Sequence, residues 1–92
     1  MENQLKQIIS FYGIKKQLKY IHSEYFELDE AIINGELKDL DNNAIKHIAE
    51  ELADVMVMLE QFRLHYGIDK ETIQDLMEYK INRQIERIEN EG

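Results

Sequence analysis

Four carboxylates fall into two pairs at one spacing: Glu24 with Glu27, and Glu51 with Asp54. On a helix, residues three apart project from the same side, so each pair would present its oxygens together. Two such helices packed face to face would gather all four carboxylates around a small volume. An all-oxygen set of this kind suits a hard divalent cation, Mg²⁺ or Mn²⁺. A di-iron bundle would use Glu-x-x-His on two helices, and neither pair here ends in His. The alternative use of the carboxylates is pairing with basic residues of another helix, and spacing alone leaves both open.

The need for some partner follows from where the carboxylates fall. Ile45, Ile48, Leu52, Val55, Leu59 and Phe62 share one helical face. Glu51 lies inside that face, between the directions of Val55 and Met58, and Asp54 lies on its border. In the preceding segment, Ile14, Leu18, Ile21, Tyr25, Leu28 and Ile32 form the main apolar face. Gln17, Tyr20, Glu24, Glu27 and Ala31 run along its flank. Glu30, Glu50 and Glu60 point elsewhere and read as solvated. A carboxylate buried without a partner costs several kcal/mol or takes up a proton. A small domain has only about 5 kcal/mol of stability to set against this. His47, one turn before Glu51, reads as a partner to a ligand or as a surface residue, and His22 and His65 as structural or exposed.

Opposite charge comes near the end of the chain. Lys80, Arg83 and Arg87 form a row beside the apolar positions Ile73, Met77, Ile81 and Ile88. The row would either pair with acidic helices or grip phosphate oxygens, for which Lys and Arg are both suited. An acidic metal site beside a basic row is what a metal-bound polyphosphate would require.

The elements that must position these residues are helices. There is no proline, and Gly13, Gly35 and Gly67 separate stretches of helical periodicity. The pattern predicts helices over 2–12, 14–34, from 41 or 42 to about 66, and 70 to about 90. Asn34-Gly35 and Gly67 are the expected stops, and Asp41 or Asn42 and Asp69 the expected caps. Short connections make neighbours antiparallel, so the expected fold is all-α, a single domain over 1–92 built as a four-helix antiparallel bundle. A coiled coil fits poorly, because no heptad pattern persists across the glycines. A chain of 92 residues has a marginal core, and without cysteines the available supports are a metal or self-association.

With 19 acidic against 11 basic residues and a net charge of −8, the chain lacks the basic surface that nucleic-acid binding needs. No stretch has signal-peptide or membrane-span character, and the apolar run Leu52–Leu59 is broken by Asp54. The expectation is a cytoplasmic protein that binds neither nucleic acid nor membrane.

The segments KKQLKYIHSEYFELDEAI and HIAEELADVMVMLEQF resemble the MazG-like, all-α nucleoside-triphosphate pyrophosphohydrolases. That family's signature is Glu-Glu-x-x-Glu, a spacer, then Glu-x-x-Asp. Here it reads Ser23-Glu24-Tyr25-Phe26-Glu27, 23 intervening residues, and Glu51-Leu52-Ala53-Asp54. The tail MEYKINRQIERIE is similar to the family's basic fourth helix, so the resemblance spans nearly the whole chain. Ser23 stands where the motif has its first Glu, which removes one outer carboxylate. Gln84 stands where relatives often place Asn, one turn after Lys80.

The resemblance implies cleavage of a (deoxy)nucleoside triphosphate between its α and β phosphates, giving a monophosphate and pyrophosphate, as in nucleotide-pool house-cleaning. It implies Glu24, Glu27, Glu51 and Asp54 as catalytic residues and Mg²⁺ ligands. Lys80, Arg83 and Arg87 would steady the phosphates, and Gln17 and Tyr20 would contact the base. It further implies a homodimer or homotetramer, with the opening helix packed on a neighbour. Two other readings share the sequence: an enzyme like phosphoribosyl-ATP pyrophosphohydrolase, and a non-catalytic acidic helical interaction module.

Overall fold

The computed structural model describes residues 1–91. They form four helices and, among the described residues, no strand: α1 (Glu2–Tyr12), α2 (Ile14–Leu37), α3 (Asn42–His65) and α4 (Lys70–Glu91). Gly13 alone separates α1 from α2. Its φ of 85° lies where a Cβ is strained, and its amide and carbonyl serve both helices, donating to Ile9 O and accepting from Gln17 N. Asp41 caps α3, its Oδ1 accepting from Ala44 N at 2.8 Å, as its residue type and place predict. At the other end of α3, Gly67 N donates to Leu64 O and Ile68 N to Arg63 O, the Schellman arrangement expected of a helix that stops at glycine.

The scaffold is the α2–α3 hairpin. Gln17, Ile21, Glu24, Leu28, Ala31 and Gly35 on α2 are buried or half-buried, at steps of four and three. Ala44, Ile48, Glu51, Val55, Met58 and Phe62 repeat those steps on α3. Gln17 meets Gln61 near one end and Gly35 meets Ala44 and Ile48 at the other, so the helices are antiparallel. The heptad rhythm that the glycines interrupt along the chain is therefore present within this one hairpin. Its apolar members hold it together, each of Ile21 and Val55 contributing roughly 2 kcal/mol on burial.

Gly35 corrects the sequence expectation. It does not stop α2, which continues to Leu37, and it is buried where α3 begins. A Cβ there would lie 3.1 Å from both Ile48 Cδ1 and Leu40 Cδ2. The glycine serves close helix approach, and packing overrides its weak helix propensity.

α1 buries Ile9 and packs chiefly on α3 of its own chain. Arg63 secures that corner, pairing with Glu60 and with Glu2 (3.2 Å) and donating from Nη1 to Ile68 O at 2.6 Å. α4 differs from the other three. It has no buried residue and makes no close backbone approach to α1, α2 or α3. Only Ile73 and Met77, in its first two turns, border a groove shared with Met56, Leu59 and Phe62 of α3. The four expected helices are present, but the fourth does not close a bundle within the chain. Leu18, Tyr25, Ile32, Ile45, Leu52 and Leu59, expected in the core, are accordingly left exposed on one flank of the hairpin. None of the helices is long and apolar enough to cross a membrane.

A candidate metal centre

Midway along the hairpin the seam turns acidic. Glu24 and Glu51 occupy seam positions where apolar residues would otherwise pack, and Asp54 lies one turn from Glu51 at the seam's edge. Each offers an oxygen, and the three atoms lie within 4.8 Å of one another. Glu24 and Glu51 are half-buried, Asp54 is exposed, and the Oε2 atoms of both glutamates are buried with no hydrogen-bond partner. Buried carboxylate oxygens normally find a donor. Among the described residues the only ion pairs are those of Arg63 with Glu2 and Glu60, so no basic side chain neutralises the cluster.

The electrostatics follow from this crowding. Burial pushes the Glu24 carboxyl above its ordinary range, and the charges of Glu27, Asp54 and Glu51 push it further. Burial likewise raises Glu51, reinforced by Glu27 and Asp54 and partly opposed by His47. Glu27 is thus a close neighbour of both glutamates although it is exposed and lies outside the trio. A divalent cation would remove the mutual repulsion and satisfy the two orphaned oxygens together. The donor set, all carboxylate, fits Mg²⁺ or Mn²⁺.

A cleft of about 340 Å³ runs from Glu24 and Asp54 between α1, α2 and α3. Ile8, Tyr12, Tyr20 and Val57 line it, and a buried amide pair lies at its far end. There Gln17 Nε2 donates to Gln61 Oε1 at 2.9 Å and, weakly, to Met58 Sδ at 3.9 Å. Gln61 is 2% exposed and was not singled out from the sequence. Its signal was a polar residue one turn beyond Val57 and Met58, close to the apolar run.

The predicted site residues therefore divide. Glu24, Glu51 and Asp54 converge, Glu27 stands beside them, and Gln17 and Tyr20 line the adjoining cleft. Lys80, Arg83 and Arg87 do not join them. With Gln84 they line a separate shallow cleft on α4, where the Arg83 guanidinium lies 5.8 Å from the Tyr79 ring centre. Ser23 is exposed beside Glu24. Compared with protein-family models, curated proteins and solved structures, the chain matches none.

Proposed function

We propose that this chain is a Mg²⁺-dependent nucleoside-triphosphate pyrophosphohydrolase of the MazG-like kind, cleaving a (d)NTP to the (d)NMP and pyrophosphate. The observation that carries the reading is that Glu24 and Glu51 each keep a buried Oε2 with no hydrogen-bond partner, while these two carboxylates and Asp54 each offer an oxygen within 4.8 Å of the others. Clustered carboxylates with no cationic partner are costly unless they hold a cation.

In this reading Glu24, Glu51 and Asp54 would hold the ion, with Glu27 beside them. A Mg²⁺ or Mn²⁺ ion held there would supply charge neutralisation for the phosphates and a more acidic bound water. One of the four carboxylates would serve as general base. The cleft takes the nucleoside, with Tyr20 at its wall and the Gln17 amide at its end. Lys80, Arg83 and Arg87 remain the proposed phosphate grip only where α4 is brought against a carboxylate cleft, an approach the single chain does not make. The working form in this reading is a homodimer or homotetramer in the cytoplasm.

The test is pyrophosphate release from a panel of canonical and modified (d)NTPs and phosphoribosyl-ATP with Mg²⁺, run beside Glu51→Gln and Asp54→Asn. Release from a (d)NTP that both substitutions abolish supports the reading. Release from phosphoribosyl-ATP alone would move the assignment to that substrate. No release from any, with a folded protein indifferent to Mg²⁺, would leave an acidic interaction module.

A further inference from the structure

Two amides in contact can be turned over together, which exchanges donor and acceptor and keeps one hydrogen bond between them. The contact between Gln17 and Gln61 therefore does not by itself set which atom each presents elsewhere. Met58 breaks the tie. Its sulfur lies 3.9 Å from Gln17 Nε2 and 3.8 Å from Gln61 Nε2, and a thioether accepts weakly and donates nothing. With the amides turned over, two carbonyl oxygens would face that sulfur in place of two N–H groups. Met58 is 7% exposed and sits in the seam, so packing holds its sulfur where it is.

The consequence falls on Gln17. Its Nε2 is engaged by Gln61 and Met58, whereas its Oε1 accepts from no donor among the described residues. Gln17 lines the cleft, and this oxygen is not sealed as the Oε2 atoms of Glu24 and Glu51 are. The far end of the cleft thus carries an acceptor without a donor, beside the apolar Ile8, Val57 and Met58. Gln17 precedes Glu24 by seven residues of α2. That is about 10 Å of helix, comparable to the reach of a nucleoside from the edge of its base to its 5′ oxygen.

We propose that this end of the cleft selects nucleobases bearing an exocyclic amino group, cytosine or adenine, over their keto counterparts uracil and hypoxanthine. Met58 acts as the positioning residue that sets the preference, through the polarity it imposes on the two amides. The proposal rests on the reading of the cleft as the nucleoside's place. An amino base donates to Gln17 Oε1. A keto base brings a carbonyl oxygen to the same point, acceptor against acceptor. To meet it the pair must turn over, giving up both N–H contacts to the Met58 sulfur.

The test is binding of deoxycytidine against deoxyuridine, and of deoxyadenosine against deoxyinosine, to the full chain, followed by NMR at the Gln17 and Gln61 side-chain amides. Nucleosides carry no phosphate, so this readout needs neither metal nor turnover. The amino member of each pair should bind roughly tenfold tighter or more, the discrimination expected when a buried acceptor is left unpaired. Met58→Leu keeps the apolar volume at little cost in stability and removes the acceptor that orients the amides. In that variant the preference should fall several-fold. A merely structural role of Met58 would move all four affinities together and leave the ratios as they were. Equal affinities within the pairs, a keto preference, or no binding of any nucleoside at millimolar concentration would overturn the proposal. So would a preference that folded Met58→Leu keeps in full; should that variant not fold, the wild-type ratios decide. Pyrophosphate release is a separate measurement. Amino preference without release from any triphosphate would sink the hydrolase reading alone, and release without amino preference would sink this proposal alone.

Discussion

The carboxylates of Glu24 and Glu51, on neighbouring helices, approach within 4.8 Å, and each keeps a buried Oε2 that no donor reaches. They sit in the seam of the hairpin that organises the molecule, where apolar residues would pack more favourably. The same pair therefore weakens the scaffold and makes the site. Stability of the fold and occupancy of the site are coupled through these two residues.

The first prediction follows from that coupling. A cation that binds the folded chain and not the unfolded one stabilises by mass action, about 2.7 kcal/mol at a hundredfold excess over its Kd. For a domain of this size the expected rise in Tm is on the order of 10 °C. Calorimetry with and without millimolar Mg²⁺ measures it. In Glu51→Gln the rise should largely vanish, and an equal rise in that variant would place the bound ion elsewhere.

The second concerns pH in the absence of divalent cations. Burial and neighbouring carboxylates raise the Glu24 and Glu51 pKa above the unfolded value of 4.5, so the folded state binds protons that the unfolded state releases. Their contribution to stability is present below pH 4.5 and is lost as pH rises toward the folded pKa values. Glu24→Gln and Glu51→Gln should thus each raise the Tm of the metal-free protein at pH 7 and flatten this part of its pH dependence. Mg²⁺ competes with the same protons, so its affinity should increase with pH over that window. A metal-free Tm at pH 7 lowered by both substitutions would contradict the account.

What the sequence made legible was local. Gly13, Asp41 and Gly67 mark ends because a positive φ, a cap and a Schellman turn are set by a few adjacent residues. The place of Glu51 inside a buried stripe was likewise readable from helical period, and so was the Glu24–Asp54 convergence once two helices were paired. Gly35 was misjudged because its role depends on Ile48 and Leu40, which only the folded hairpin brings near. The position of α4 was not legible for the same reason. Periodicity shows that Ile81 and Ile88 want cover, but not which molecule provides it.

Two glycine substitutions separate backbone strain from packing. Gly13→Ala meets no atom within 4 Å, but it holds an L side chain at φ 85°. With ψ at 154° as well, this is backbone that essentially only glycine adopts, and the variant should destabilise by roughly 1 to 3 kcal/mol. Gly35→Ala gains about 1 kcal/mol of helix propensity. Its close contacts are the ends of the Ile48 and Leu40 side chains, both able to give by a few tenths of an ångström. The expected result is near neutrality by denaturant titration. Loss of more than the Gly13 variant would show that the α2–α3 approach is rigid.

The amide pair at the end of the cleft tests whether the seam's polar members act as units. Gln61→Leu removes the acceptor at 2.9 Å and leaves Gln17 Nε2 buried, with only the weak Met58 sulfur contact. A loss of about 1 to 3 kcal/mol is expected. Replacing both glutamines with Leu deletes donor and acceptor together and should recover most of that loss, because no unsatisfied group then remains buried. A double-mutant cycle measures the coupling. If the pair also borders a nucleoside, the double variant should keep Mg²⁺ stabilisation, which depends on Glu24, Glu51 and Asp54, while its preference among bases changes. A folded double variant with unaltered base preference would remove Gln17 from the binding cleft and leave the pair a purely structural lock on the hairpin's register.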